Sequence, residues 1–235
     1  MATATKTRPE VDAYRGRRGN GHGDGQESAV AERGLTYELT AEGVRQMMEA
    51  RAQAALEEAM ARVHGEIAEP EGWWNLYAIG PIQPIAVGGP LLPHQVIKVG
   101  EPAFIVTVLF LNPFLILPGP TTASDVLSNF ALDYEVRYQT GNLTTWQLGA
   151  PNAVQGGTLV PGQSVYVDVL GFIAQQEGLF EMNITARILG AAPPHVNAPQ
   201  FAGYARAVVD IDPDLFISGA PGLQFDHAIK FQVYP

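Results

Sequence analysis

From Trp73 to the end of the chain apolar residues recur at every second position, whereas just before it they recur at every third or fourth. Phe130, Leu132, Tyr134, Val136 and Tyr138 share one face, and Asp133, Glu135, Arg137 and Gln139 share the other. Val165, Val167, Val169 and Ile173 alternate with Ser164, Tyr166 and Asp168. Phe180, Met182, Ile184, Ala186 and Ile188 alternate with Glu181, Asn183, Thr185 and Arg187. Successive side chains of a strand point to opposite faces, so these segments are expected as half-buried antiparallel strands. Ala103–Leu111 is apolar on both faces, as a central strand is, and Phe201–Val209 and His227–Tyr234 supply later strands. Turn signals at Val99-Gly-Glu-Pro, Thr140-Gly-Asn, Val160-Pro-Gly-Gln and Glu177-Gly separate them. Seven or more short strands with no helix among them predict a mainly β, antiparallel sandwich over residues 71–235.

The helical periodicity lies over residues 35–70. Thr40 is placed to cap the N-terminus, and Glu42 falls in the first turn. Val44, Met48, Ala55, Ala59 and Val63 form an apolar stripe, widened by Met47, Leu56, Met60 and Ile67. Glu58 and Arg62 are an i,i+4 pair in the favourable order, and Pro70 and Gly72 mark the end. At about 1.5 Å per residue this helix would be about 40 Å long. Its narrow, alanine-rich face has two candidate partners, the chain's own β domain or a second copy of the helix.

GWWNLYAIGPIQPIAVGGPLLP, Gly72 to Pro93, carries no charge and is long enough to cross a bilayer. A spanning helix must satisfy its own backbone, and Pro81, Pro84, Pro90 and Pro93 each lack an N–H. The stretch is expected as short extended pieces, Trp74–Ile79 and Ile85–Val87, joined by Gly-Pro turns. Residues 1–34 are rich in Gly, Arg and small polar residues, with RGRRGNGHGDG at Arg15–Gly25, and are expected as a disordered tail. No apolar core of signal-peptide length is present there, so the default location is cytoplasmic, with leaderless export or incorporation into a particle as the alternatives.

VGEPAFIVTVLFLNP, VPGQSVYVDVLGF and EGLFEMNITARIL resemble the B, E and F strands of bacterial immunoglobulin-like modules, over about residues 96–189. The resemblance implies an immunoglobulin-like, or related jelly-roll-like, sandwich and a role in adhesion, assembly or ligand presentation. The Cys…Trp…Cys core of antibody domains is absent. A basic arm ahead of a β domain also resembles the coat proteins of small viruses.

Charge and chemistry narrow the function. A net charge of −10 argues against a general nucleic-acid binder, and the absence of cysteine removes disulfides, thiolate nucleophiles and cysteine metal sites. Asp210, Asp212 and Asp214 in DIDPD could offer oxygens to Ca²⁺, but Leu215 and Pro221 stand where an EF-hand needs Gly and Glu. The alternative is a solvated Asp-Pro turn, so no cofactor is expected unless this loop takes Ca²⁺. His22, His64, His94, His195 and His227 form no ligand pair by spacing, and neither Ser124 nor Ser164 lies in a nucleophile elbow. No phosphate loop, dinucleotide fingerprint or zinc-protease motif is present, so no enzyme is expected. Trp73, Trp74 and Trp146 are candidates for a carbohydrate- or ligand-binding platform.

About a tenth of the residues from Glu71 to Pro235 are charged, against the usual about 25%. Pro102–Ser124 and Tyr138–Val167 carry no charge at all. So little charge on a surface points to protein contact. Phe114, Leu115, Ile116 and Leu117, bracketed by prolines, are the candidate contact loop. The expected function is a structural or assembly protein that forms homo-oligomers, or joins other assembly proteins, through the helix stripe and this loop. A ligand- or carbohydrate-binding module is the alternative.

Overall fold

The structure, a computed structural model, describes residues 40–63, 73–84, 91–114, 122–129, 133–189, 201–217 and 228–235. The expected tail over residues 1–34 lies outside them. Along the chain the elements are α1 (Ala41–Arg62), β1 (Trp74–Pro84), β2 (Leu91–Pro93), β3 (Val96–Lys98), β4 (Pro102–Leu111), α2 (Ala123–Asn129), β5 (Asp133–Asn142), β6 (Gln147–Leu148), β7 (Ala153–Thr158), β8 (Val165–Ile173), β9 (Gly178–Leu189), β10 (Phe201–Tyr204), β11 (Arg206–Ala207), α3 (Asp214–Ile217) and β12 (Ile229–Tyr234).

The strands form two sheets. Sheet I has the order β11-β1-β4-β8, with β2 also on β1; sheet II has the order β3-β12-β9-β5, with β6 and β7 along the outer edge of β5 and β10 on β9. The strands likened to B and E are β4 and β8, antiparallel neighbours in sheet I, while the F-like strand is β9, in the other sheet between β5 and β12. That arrangement is the immunoglobulin-like sandwich. Between the sheets lies a core that includes Ile105, Leu109, Val136, Met182, Ile184 and Phe231.

A second core lies on the outer face of sheet I. Val44, Met48, Ala52, Ala55, Leu56 and Ala59 of α1 are buried with Tyr77, Ile79, Val106, Val108, Val167 and Val169. The small alanines let the helix approach the strands closely, and burying Met48 or Leu56 contributes about 1.5–3 kcal/mol each. As expected, Thr40 caps the helix, its Oγ1 accepting the Gly43 N–H at 3.1 Å. The stripe Val44, Met48, Ala55 and Ala59 is thus covered by the chain's own sheet, and Val63 is the half-buried C-cap. Met47 and Met60 do not widen the stripe: both are exposed, and Ala52 takes the central position instead. The register 44, 48, 52, 55, 59 follows the 3.6-residue period more closely than a stripe including either methionine.

Other expectations need correction. Gly80-Pro81 is not a turn but an irregularity inside a continuous β1, where pairing with β4 shifts between Ile79 and Ile82. Gly80 has φ 134°, and a Cβ there would lie 2.8 Å from the Phe104 carbonyl oxygen, so only glycine fits. Strand β8 is buried on both faces, because α1 covers Val165, Val167 and Val169 while Tyr166 and Leu170 enter the sandwich. A helix does interrupt the strands: α2 begins with a reciprocal cap, Thr122 Oγ1 accepting the Asp125 N–H at 3.0 Å and Asp125 Oδ2 accepting the Thr122 N–H at 3.3 Å. The spacing T-x-x-D, Thr122 to Asp125, is the sequence signal for this start. The expected strand Phe201–Val209 is split, since β10 pairs with β9 in sheet II and β11 pairs with β1 in sheet I. Pieces Ile85–Val87 and His227 fall outside the described residues.

Candidate functional site

The outer face of sheet II carries no described element, and the strand register fixes what it displays. Val154, Arg137, Thr185 and Tyr204 are cross-strand neighbours in one row. The next row holds Gly156, Glu135, Arg187 and Ala202. Leu148, Gly141, Glu181 and Lys230 form a third.

At the β6–β7 end this face is apolar and open. Trp146 is 87% exposed, Leu148 89% and Val154 56%. Trp146 belongs to the β5–β6 hairpin, which Asn142 organises: its Oδ1 accepts the Thr144 and Thr145 N–H groups at 2.9 and 3.1 Å. Thr144 Oγ1 in turn accepts the Leu179 N–H at 2.9 Å, tying the hairpin to β9. Two costs gather in this turn. Trp146 has φ 58°, a left-handed conformation that costs an L-residue about 1–2 kcal/mol. The buried Nδ2 of Asn142 has no hydrogen-bond partner among the described residues.

At the opposite end the face is polar. Glu135 Oε1 accepts from Arg137 Nε and Nη2 at 3.2 and 2.7 Å, and Oε2 from Arg187 Nη2 at 2.8 Å. The Arg187 and Arg137 hydrogen bonds hold the Glu135 carboxyl below its ordinary value. The carboxylate sits low, its side chain 19% exposed, while the two guanidiniums stand higher at 44% and 50%. Beside them a cleft of about 420 Å³ is lined by Gln139, Thr185, Gly203 and Tyr204. Tyr204 is 76% exposed and also borders a second cleft of about 410 Å³, shared with Trp74, Asn75 and Arg206.

Within the sandwich, Asp168 enters from β8. Burial pushes its carboxyl above the usual value, and the Tyr134 hydroxyl donating to it and the Arg45 charge offset part of that rise. Burial likewise raises Tyr134 and Tyr138. Thr107 Oγ1 lies 2.8 Å from the Tyr138 hydroxyl, which donates to Gln155 Oε1 at 3.1 Å. Gln155 Nε2 then donates to the Val169 carbonyl at 3.0 Å, so the polar chain spans both sheets. Its groups are engaged with one another, as a fold-specifying network requires.

The residues expected from the sequence are dispersed. Asp210 pairs with Arg51 and Asp214 with Arg62, the latter at 3.0 Å, so the DIDPD loop is tied to α1. Asp212 Oδ1 accepts the Asp214 and Leu215 N–H groups at 2.9 and 3.2 Å and starts α3. No group of three metal-ligating side chains forms among the described residues. Trp73 and Trp74 are half-buried against the sandwich core, with Trp74 beside Gly203 of β10, while Trp146 lies beyond β5 at the other edge of sheet II. The three tryptophans therefore do not make one platform. Phe114 is half-buried against the helix-side core, its N–H donating to Asn112 Oδ1 at 2.8 Å; Leu115, Ile116 and Leu117 lie outside the described residues. Ser124 and Ser164 meet, Oγ to Oγ at 3.1 Å, with no histidine among their described partners. His94 is exposed, and the other histidines lie outside the described residues. Among the described residues no helix is long and apolar enough to cross a membrane.

Leu148, Tyr204 and the Glu135–Arg137–Arg187 trio were not singled out in the sequence. Alternation had put Glu135, Arg137 and Arg187 on polar faces, but only the β5–β9 register shows that they meet.

No protein-family model matches the chain, and no curated protein matches it. Among solved structures the chain is similar to the CARDB domain of a Pyrococcus furiosus protein, solved in complex with di-metal ions, at 14% identity and a TM-score of 0.28, covering 59% of this chain and 89% of that one. It is also similar to the C-terminal domain of wzt, at 9% identity and a TM-score of 0.34, covering 71% of this chain and 81% of that one. A third likeness is to a β-glucosidase from Listeria innocua, at 8% identity and a TM-score of 0.30, covering 58% of this chain and 16% of that one.

Proposed function

We propose that the chain is a non-catalytic assembly module whose sandwich contacts a second copy of itself through the Trp146–Leu148–Val154 end of sheet II. The observation that carries this reading is Trp146, a large apolar side chain that is 87% exposed in a backbone conformation suited to glycine. Backbone strain of this kind gathers at functional positions. The chemistry of the patch favours self-contact. A chain of net charge −10 repels its own copies, and the cleft beside Leu148 and Val154 has Arg137, already paired with Glu135, as the one charged residue among its described lining. The α1 stripe is not part of this interface, since sheet I covers it.

Trp146→Gly separates assembly from stability. It relieves the left-handed strain, and the added backbone entropy of glycine offsets part of the gain, so stability should stay level or rise by up to about 1 kcal/mol. Sedimentation across a concentration series should show a larger species for the unmodified chain and a smaller one for Trp146→Gly and Leu148→Glu. A monomer at tens of micromolar in the unmodified protein would sink the reading, as would an unchanged mass in both variants.

A further inference from the structure

We infer that the polar end of the same sheet is a binding site for an acidic saccharide, a sugar chain carrying carboxylates, centred on Tyr204 and the Arg137–Glu135–Arg187 trio. Size comes first. The clefts on either side of Tyr204, about 420 and 410 Å³, each fall within the roughly 300–1,000 Å³ of small-ligand sites. Tyr204 stands between them as an exposed ring, so a chain laid across the ridge fills both clefts and puts one sugar against the aromatic face. Ring stacking suits a sugar's apolar C–H face, while its hydroxyls need planar, multivalent hydrogen-bonding partners. Gln139, Thr185 and the two guanidiniums supply these.

Charge selects the class of sugar. Glu135 lies beneath the two arginines and neutralises only one of them, and with Asp133 one row further along the same face the remaining positive charge is confined to the guanidiniums beside Tyr204. Glu135 also fixes both guanidinium planes, leaving most of their N–H donors unengaged among the described residues. A guanidinium fork matches a carboxylate in two parallel hydrogen bonds. The site floor is firm as well. A Cβ on Gly203 would lie 3.1 Å from Trp74 Cη2, so the indole packs closely beneath β10. This inference does not depend on self-association, although Arg137 borders both sites.

The test titrates the full chain, labelled for amide NMR, with a galacturonate hexasaccharide, a neutral malto-hexasaccharide and a short single-stranded oligonucleotide of matching charge. The expected result is saturable shifts at the Thr185, Arg187 and Tyr204 amides with the uronate alone, weakening as salt rises. Tyr204→Ala should weaken binding about five- to tenfold, and Arg187→Gln by tenfold or more, with unchanged unfolding midpoints and unchanged self-association. Equal binding of the neutral sugar would overturn the class of ligand. Equal binding of the oligonucleotide with no effect of Tyr204→Ala would reduce the site to diffuse electrostatics and overturn it. An absence of shifts at millimolar uronate would remove it altogether.

Discussion

On the outer face of sheet I the strands set Tyr77, Ile79, Val106, Val108, Val167 and Val169 side by side, and α1 covers them. On the outer face of sheet II, Val154, Arg137, Thr185 and Tyr204 stand in a row that no described element covers. The strands of both sheets share one inner core, so the difference arises entirely outside it. A face that is covered can be continuously apolar, and β4 and β8 are accordingly apolar on both sides. A face left open must alternate, and β5 and β9 do. What departs from this rule on sheet II, an exposed Trp146 and Leu148 at one end and an exposed Tyr204 at the other, is therefore the informative part of the surface.

The largest test of that contrast pairs one charge on each face. Met48→Glu puts a carboxylate under α1 without a partner, and should destabilise by roughly 3 kcal/mol or more. Leu148→Glu adds the same charge to the open face and, in chain too dilute to self-associate, should stay within about 0.5 kcal/mol. Denaturant unfolding of the two variants reads the difference; similar losses would mean that the open face is covered too.

A smaller effect concerns the core the two faces share. Burial raises the Asp168 carboxyl, so the folded chain holds that proton more tightly than the unfolded one. The associated stability is present below the unfolded aspartate value of about 3.9 and is lost as pH rises through the raised folded value. Asp168→Asn removes the ionisation and keeps an acceptor for Tyr134. It should be more stable than the unmodified chain at neutral pH by about 1 kcal/mol, the gap closing toward pH 4. A variant that instead loses several kcal/mol at neutral pH would mean that the charge itself holds the network together.

The smallest effect is at the rim of the covered face. Arg51–Asp210 and Arg62–Asp214 are half-exposed pairs, so Asp210→Asn should cost under about 1 kcal/mol, and less at high salt. Because these carboxylates are engaged by α1, millimolar calcium should leave the thermal midpoint unchanged. A rise abolished by Asp212→Asn would instead restore an ion to the loop.

How legible each part was follows from the range of the interactions. The helix register, the Thr40 cap and the inner faces of β5 and β9 depend on neighbours a few residues apart, and the alternation reads them directly. What covers a stripe depends on distant chain, so the sequence left α1 with two candidate partners. Arg51 and Asp210 could not be joined by inspection, because nothing local distinguishes that aspartate from a solvated turn. Gly80-Pro81 misled for a related reason: the dipeptide carries a turn signal, and the close approach of the Phe104 carbonyl that makes it a bulge comes from another strand. Tyr204 is hard to read from the sequence because the chain passes from sheet II to sheet I two residues later, and the alternation breaks there.

The position of Asp168 has a consequence for solubility. Strand β8 is the last strand of sheet I, and a nine-residue, mostly apolar terminal strand is a template on which another chain's strand can grow. Asp168 is an inward-pointing polar side chain on that strand. Its carboxylate is already poorly hydrated, and an incoming strand laid along β8 would strip what water remains. Gln155 occupies the Val169 carbonyl on the same strand, withdrawing an acceptor from any newcomer. A buried polar group and a borrowed amide thus stand on the edge strand where a mostly apolar sequence would otherwise leave an open template.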